Sequence, residues 1–299
     1  MASGGGMQDG LSTSMALLSR RSVLAGTLAL TACGRKPEAE PAKAIRDMTL
    51  AEAVAGAWRS PADRARDVWR HPVETLEFWG LAPGQTVVEF WPGAGWYTDI
   101  VAPYLAANRG KLIAANLEPA DPASAEIVEA YRAKLKARPR VYGEVEITAF
   151  GPTSGPVAPA GAADLVLFLR NLHNWMAAGI VVKAFRDAFA ALKPGGVLGI
   201  EEHRAGAGGV QDVLAPDGYV QEAYAVRLAQ EAGFVLDKTS EINANPKDTK
   251  DHPFGVWTLP PVALTAPRGE PPNPAFDRSR YDAIGESDRM TLRLVKPKA

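Results

Sequence analysis

The chain has 299 residues, of which 46% are hydrophobic and 22% are charged, a balance typical of a globular protein. Its 33 lysine and arginine residues are matched by 34 aspartate and glutamate residues, so no net charge favours nucleic acid or an anionic membrane surface. No apolar run reaches the roughly 18 residues that suggest a membrane-spanning helix.

The first 33 residues have the pattern of an export signal. A serine-flanked arginine pair at 19–22 precedes a short apolar stretch at 23–32, and Leu-Thr-Ala stands directly before Cys33. This order resembles a twin-arginine signal that ends in a bacterial lipobox, which implies cleavage before Cys33 and a lipid anchor on it. We therefore expect a periplasmic or envelope-anchored lipoprotein that touches the membrane only through Cys33. A leader that is not used would leave the protein in the cytoplasm.

Cys33 is the only cysteine, so neither a disulfide framework nor a catalytic thiol is expected. Residues 34–58 are rich in Ala, Pro, Glu and Lys and are predicted to form a tether. One folded domain is expected over 59–299. It begins with a helix that Ser60 caps, followed by a second helix from Pro72 that Gly80 ends.

Strand-like and helix-like segments then alternate. The strands are predicted at 86–90, 111–115, 145–147, 163–168, 197–200, 234–236 and 291–295. The helices between them are predicted at 97–105, from 121 onward, at 178–192 and at 219–231. This alternation predicts an α/β fold, with a mostly parallel seven-stranded sheet and helices on both faces. No helix separates the last two strands, so the last strand is predicted to be antiparallel.

The first strand ends in the sequence VVEFWPGAGWYT over 87–98, which places Glu89 before a turn with Gly93 and Gly95. Glycines let the backbone approach a ligand closely and adopt positive φ, and free N–H groups at a helix start suit an anion. A dinucleotide site expects a third glycine, G-x-G-x-x-G, where this chain has Tyr97-Thr98. The turn therefore argues against NAD.

The same turn resembles the first motif of class I S-adenosylmethionine (SAM)-dependent methyltransferases, acid-x-Gly-x-Gly-x-Gly, with Trp91 in place of the first glycine. From about Ser60 to Lys298 the chain also resembles a group of predicted bacterial methyltransferases with a Gly-x-Gly-x-Tyr-Thr turn. These resemblances imply the Rossmann-like class I methyltransferase fold and SAM as the cofactor.

The resemblance implies cofactor-binding roles for residues at the ends of the first two strands. Glu89 would hold the amino acid end of SAM, and Gly93 and Gly95 would let the backbone approach its methionyl part. The position that usually supplies a carboxylate to the ribose hydroxyls holds Asn116, with Glu118 two residues later. Asn116 can accept only through its single carbonyl oxygen, so Glu118 is a second candidate for the ribose.

Trp91, Trp96 and Tyr97 bracket the turn, and two roles for their rings stay open. They either stack on adenine or cap the sulfonium by cation–π attraction, or they pack in the core. The segment after the fourth strand brings Arg170, Asn171 and His173 to the place where such enzymes face the cofactor and the acceptor. By the resemblance, Arg170 would contact the cofactor, and Asn171 and His173 would be catalytic.

His173 can take a proton from an acceptor hydroxyl or amine at neutral pH, or it can simply order its loop. Glu202 and His203 follow the fifth strand, and with His173 they are candidate ligands for a divalent ion. No short metal-ligand spacing supports that interpretation, so a polar pocket wall is favoured and no metal is predicted.

The proline-rich stretch at 245–289 is far longer than a turn between two strands requires, and it is predicted to be an ordered flap over the active site or a structural wrap. The leading hypothesis is a methyltransferase that moves the SAM methyl to a small-molecule or envelope acceptor, with no nucleic-acid partner. A non-catalytic periplasmic ligand-binding lipoprotein that retains the fold is the alternative, favoured by Trp91 and Asn116. A further alternative is an enzyme that uses another cofactor in the same pocket.

Overall fold

The computed structural model describes residues 47–298, so the expected leader and its Cys33 lie outside the described residues. The folded domain begins earlier than the sequence suggested. Helix α1 (Leu50–Val54) is capped by the Thr49 hydroxyl, and Leu50 and Ala53 are buried with Met48. The tether expected over 34–58 is therefore wrong for residues 47–58, because their apolar side chains pack in the core.

Residues 86–295 contribute a seven-stranded sheet in the order β3-β2-β1-β4-β5-β7-β6. The strands are β1 (Thr86–Phe90), β2 (Lys111–Leu117), β3 (Val145–Phe150), β4 (Ala163–Leu169), β5 (Leu192–His203), β6 (Val235–Ser240) and β7 (Arg289–Val295). β7 runs antiparallel to both of its neighbours, and the other neighbouring pairs are parallel. The predicted mostly parallel sheet with an antiparallel last strand is confirmed.

Helices cover both faces of the sheet. After α1 they are α2 (Pro61–Arg64), α3 (Asp67–Arg70), α4 (Pro72–Trp79), α5 (Thr98–Ala107), α6 (Pro122–Ala137), α7 (Pro139–Tyr142), α8 (Leu172–Ala177), α9 (Val181–Ala191), α10 (Glu222–Glu231) and α11 (Ser279–Ile284). The helix predicted at 178–192 is present as α9, which begins at Val181, after Gly179 at φ +69°. The short helix α8, which carries His173, was not predicted.

Two hydrophobic clusters form on opposite faces of the sheet because neighbouring strand residues point to opposite sides. In β1, Val88 and Phe90 join one cluster and Val87 joins the other. Trp175 of α8 packs edge-on against Phe90 and Phe168, with ring centroids 5.8 and 4.7 Å apart. This aromatic packing fixes α8, and therefore His173, against the carboxyl ends of β1 and β4.

The segment between β6 and β7 folds over this edge of the sheet. It contains α11 and a 3₁₀ helix (Gly255–Thr258), and its buried polar residues include Asn245 and Asp248. The Trp257 ring packs edge-on against His173, with 5.9 Å between the ring centroids. None of the helices within residues 47–298 is long and apolar enough to cross a membrane.

Candidate functional site

Glu89 lies at the carboxyl end of β1 and is almost fully buried. The Thr98 hydroxyl, at the start of α5, donates to its Oε2 at 2.7 Å. Burial raises the pKa of Glu89 to about 7, against the lowering effects of Thr98 and of the nearby Lys134. Its Oε1 has no hydrogen-bond partner within residues 47–298 and is not sealed from solvent. The carboxyl group therefore retains one oxygen for a ligand.

The turn after β1 adopts the conformation that its glycines permit. Gly93 and Gly95 have φ values of +58° and +80°, in the left-handed region. A Cβ atom on Gly93 would meet no atom within 4 Å, so open space adjoins the backbone there. Lys134 donates to the carbonyl oxygens of Ala94 at 2.7 Å and Gly95 at 3.3 Å, which ties α6 to the turn.

Trp91 and Asn116 lie beside this turn at the ends of β1 and β2. The Trp91 indole N–H donates to the Phe150 carbonyl at 2.8 Å, so the side chain reaches from β1 to the end of β3. Asn116 is buried, and its Oδ1 accepts from the Leu117 N–H at 2.8 Å. Its Nδ2 has no partner within the described chain. An unpaired buried amide is costly, which marks this position as one that a ligand can satisfy.

Glu118, the second candidate for the ribose, contacts the loop after β3. Its carboxylate accepts from the Thr153 hydroxyl and, at 3.1 Å, from the Thr153 N–H. These hydrogen bonds lower the pKa of Glu118. The group is therefore a carboxylate at neutral pH and is engaged with the loop after β3.

Tyr97 and Arg170 lie on the other side of the turn, around the buried Glu201 of β5. The Tyr97 hydroxyl donates to Glu201 Oε2 at 2.8 Å, and Arg170 Nη1 contacts the same oxygen at 3.0 Å. The Tyr97 ring packs on Trp96, with centroids 4.7 Å apart. For Tyr97 the structure therefore shows core packing, the second of the two roles left open by the sequence, and it does not bring Tyr97 to the Asn116 side.

Arg170 belongs to a buried ionic cluster whose charges the sequence reasoning missed. Glu286 pairs with Arg66, Arg70 and Arg289 at 2.7 to 2.8 Å. Burial alone would raise the pKa of Glu286, but these guanidinium groups overcome it and lower the value to about 2. The cluster ties α3 and β7 to the ends of β4 and β5. The only sign of this cluster in the sequence was the presence of charged residues at strand ends. That sign did not show which of these residues form ion pairs with one another.

The Asn171 side chain joins the ends of β1 and β4 through hydrogen bonds to backbone carbonyl groups. Its Nδ2 lies 3.1 to 3.4 Å from the carbonyl oxygens of Phe90, Trp91 and Leu169, and its Oδ1 accepts from Asn174 Nδ2 at 3.3 Å. Every polar atom of the side chain is thus bound within the fold. The structure does not support the catalytic role expected for Asn171, because the amide that would act is engaged in joining β1 to β4.

His173 has the geometry expected of a positioned base. Its Nδ1 lies 2.9 Å from Glu202 Oε1, and both residues are buried. Glu202 also accepts from the N–H groups of Leu172 at 2.6 Å and His203 at 2.8 Å, so its carboxylate is fixed. A carboxylate partner assigns the proton of neutral His173 to Nδ1 and leaves the Nε2 lone pair available. His173 Nε2 has no hydrogen-bond partner in residues 47–298 and is not sealed off.

His173, Glu202 and His203 come together as the sequence suggested, and one ligand atom from each lies within 4.8 Å of the others. His203 Nδ1 contacts the Ser287 hydroxyl at 2.6 Å. Burial lowers the pKa of His203 well below its usual value, assisted by His173 and the nearby arginines. Glu202 already accepts three hydrogen bonds and the arginines repel cations, so these residues fit a polar pocket wall better than a metal site.

Two neighbouring cavities are both lined by His173. The larger has a volume of about 730 Å³ and lies between α8, the loop at 214–217 and the segment at 252–268. The smaller has a volume of about 200 Å³ and is lined by Arg70, Arg170 and His203. His173, Asn174 and Trp257 line both. This arrangement suits a reaction in which one molecule spans the two cavities beside the histidine.

No family model matches the chain, and no curated protein matches it in sequence. Solved structures are similar in fold. The (4+2)-cyclase SpnF is 18% identical over 84% of this chain and 92% of its own, with a TM-score of 0.52. A candidate sarcosine dimethylglycine methyltransferase from Galdieria sulphuraria is 13% identical over 79% and 85%, with a TM-score of 0.50.

A SAM-dependent methyltransferase from Aquifex aeolicus is 18% identical over 66% of this chain and 94% of its own, with a TM-score of 0.49. Identities this low bear on the fold alone. Together with the strand order and the antiparallel β7, the first two likenesses show that this chain has the Rossmann-like fold of class I methyltransferases.

Proposed function

We propose that the protein is a SAM-dependent methyltransferase that binds its cofactor at the turn after β1. The observation that carries the proposal is Glu89, a buried carboxyl group with one available oxygen beside the open backbone of Gly93. An ammonium group is the natural partner for that oxygen. In class I folds, ligands bind at the carboxyl ends of the strands, where this turn lies.

The neighbouring residues fit the rest of such a cofactor. Asn116 offers a buried Nδ2 without a partner in the described chain, placed at the end of β2 for a hydroxyl oxygen. Trp91 packs on Phe150 and Trp175 but is only half-buried, and we propose that the exposed part of its ring contacts adenine or the sulfonium. Gly93 leaves the space that a side chain would fill. When bound, SAM supplies a methyl group on its positively charged sulfur.

His173 supplies the proton chemistry in this proposal. Glu202 holds the imidazole through Nδ1, and His173 lines both cavities. Nε2 would take the proton of the acceptor's hydroxyl or amine, while bound SAM would supply the methyl group and leave as the neutral thioether. Glu202 then stabilises the imidazolium that results.

Calorimetric titration of residues 34–299 with SAM tests the cofactor assignment. We expect a dissociation constant of about 10 μM or tighter, close to 7 kcal/mol. Glu89→Gln keeps the shape of the side chain but removes its charge, so it should abolish binding. Glu146→Gln is the matched control, since Glu146 is an exposed carboxylate on β3 paired only with Lys111. Absence of SAM binding by the wild-type chain would refute the proposal.

We also propose that the protein works in the cell envelope, anchored by a lipid on Cys33. The support is the order of the arginine pair, the apolar stretch and Leu-Thr-Ala-Cys in the sequence. Metabolic labelling with a radioactive fatty acid, followed by fractionation of cells, tests it. Label on the wild-type chain and not on Cys33→Ser is the expected result. Unlabelled wild-type protein in the cytoplasm would overturn the assignment.

A further inference from the structure

The two cavities lined by His173 differ in character. The larger cavity is walled mainly by apolar side chains and prolines, among them Leu214, Phe254, Trp257 and Leu264. Its charged side chains include Asp217 and Arg268, which have opposite signs. Such a wall suits an apolar molecular body.

The smaller cavity lies against an excess of positive charge. Four guanidinium groups, those of Arg66, Arg70, Arg170 and Arg289, share two carboxylates in the buried cluster, Glu201 and Glu286. Two positive charges are therefore uncompensated within the cluster. Glu202, beyond His173, offsets at most one of them. Buried charge without a partner is costly, so an anion in this cavity would be stabilised.

Two arginines present unused donors to this cavity. Arg70 bonds to Glu286 only through Nε, and its guanidinium group stacks on the Trp96 ring at 4.7 Å. Neither of its Nη atoms has a hydrogen-bond partner within residues 47–298, and neither is sealed. Arg170 bonds to Glu201 through Nη1 and leaves Nη2 without a partner in the same range. Both side chains line the cavity, and a guanidinium edge matches a carboxylate or phosphate.

The excess positive charge beside the smaller cavity would repel a cation. Burial lowers the pKa of Arg70 to about 9, and repulsion from Arg170, Arg66 and Arg289 contributes to that lowering. A divalent ion at His173 and His203 would meet the same repulsion. The charges therefore favour an anion over a metal as the occupant.

We propose that the two neighbouring cavities together bind an organic acid, with its anionic group against Arg70 and Arg170 and its apolar body in the larger cavity. That such a molecule is the methyl acceptor rests on the proposed function, because the acceptor atom would lie beside His173. Binding of the acid itself needs no cofactor. It is therefore tested separately from SAM.

The experiment compares decanoate, decyl phosphate and decanol, titrated calorimetrically into the folded chain. These probes share one apolar chain and differ in the head group. The wild-type protein is expected to bind at least one of the two anions more than tenfold tighter than decanol, and the preferred anion separates a carboxylate from a phosphate ligand. Equal affinity for all three, or no binding, would overturn the proposal.

Variants locate the anionic group. Arg70→Gln should remove the preference, whereas Arg66→Gln, which breaks a pair with the same Glu286 but does not line the cavity, should lower it only in part. If Arg70→Gln fails to fold, Val262 offers a second test, since it lines the smaller cavity and is 52% exposed. Val262→Asp should lose the preference and Val262→Asn should keep it. A preference that survives both Arg70→Gln and Val262→Asp would place the anion elsewhere.

Failure of the acid-site proposal can be distinguished from failure of the proposed methyltransferase function. Loss of SAM binding in Glu89→Gln with decanoate or decyl phosphate binding unchanged separates the cofactor site from the acid site. A protein that binds the acid but never binds SAM would refute the proposed methyltransferase and leave the acid site standing. A protein that binds SAM but shows no preference for an anion would refute the acid site and leave the proposed cofactor site standing.

Discussion

The proposed contact between Glu89 and the ammonium group of SAM predicts that the affinity for SAM depends on pH. The pKa of Glu89 in the free protein is raised to about 7 by burial, so about half of the molecules carry the carboxylate at pH 7. The ammonium group of SAM requires that carboxylate. Lowering the pH to 5.5 leaves about 3% of Glu89 ionised, which predicts binding about 16-fold weaker, or about 1.6 kcal/mol.

Calorimetric titrations with SAM at steps from pH 5.5 to 7 measure this dependence. Circular dichroism at each pH confirms that the protein remains folded. Any residual binding by Glu89→Gln gives the background from other titrating groups. Affinity that stays constant in the wild-type chain, or that falls equally in Glu89→Gln, would show that Glu89 does not hold the ammonium group.

The same pKa shift has an opposite effect on the stability of the free protein. The folded value of about 7 lies above the ordinary value of 4.5, so the folded state favours the protonated group. Its contribution is complete below about pH 4.5 and is lost as the pH rises through 7, by up to about 3 kcal/mol. Urea denaturation should therefore show Glu89→Gln losing less stability than the wild-type chain between pH 4.5 and 7.5.

Three substitutions test other parts of the site. Trp175→Ala removes a fully buried ring that packs against the ends of β1 and β4, and should lower the free energy of unfolding by about 3–5 kcal/mol, with Trp175→Phe costing markedly less. Glu202→Gln turns an amide N–H toward a backbone donor beside His173 and should cost about 1–3 kcal/mol in the same urea measurement. Asn116→Asp replaces the Nδ2 donor by a carboxylate oxygen, to which the ribose hydroxyl would itself donate a charge-assisted hydrogen bond, and should tighten SAM binding about tenfold, measured by calorimetry. A loss of unfolding free energy near zero in Trp175→Ala or Glu202→Gln, or weaker SAM binding in Asn116→Asp, would contradict these assignments.

The sequence predicted the sheet because its signals are local. Apolar strands punctuated by helices specify the parallel order, and the missing helix before the last strand specifies the antiparallel β7. The predicted helix at 178–192 differs from α9 only at its start, because Gly179 adopts positive φ. The predicted tether extended too far along the chain because the apolar residues Met48 and Leu50 were too few to stand out from it.

The site was predictable only in part. Glu89 and the glycine turn are contiguous in the sequence, and their geometry is as expected. The Arg70–Glu286 pair joins residues 216 positions apart, so no spacing in the sequence reveals it. Asn171 shows that the role of a residue cannot be predicted from its side-chain chemistry alone. An asparagine can serve in catalysis, but the amide of Asn171 lies within hydrogen-bond distance of three carbonyl oxygens and joins two strand ends.

A crystal structure of the protein with S-adenosylhomocysteine, the demethylated form of SAM, tests the cofactor assignment most directly. We predict the amino group of the ligand within about 3.2 Å of Glu89 Oε1 and its methionyl part over Gly93. The sulfur should face His173. Ligand density at any other place, or none at a saturating concentration, would contradict the proposed function.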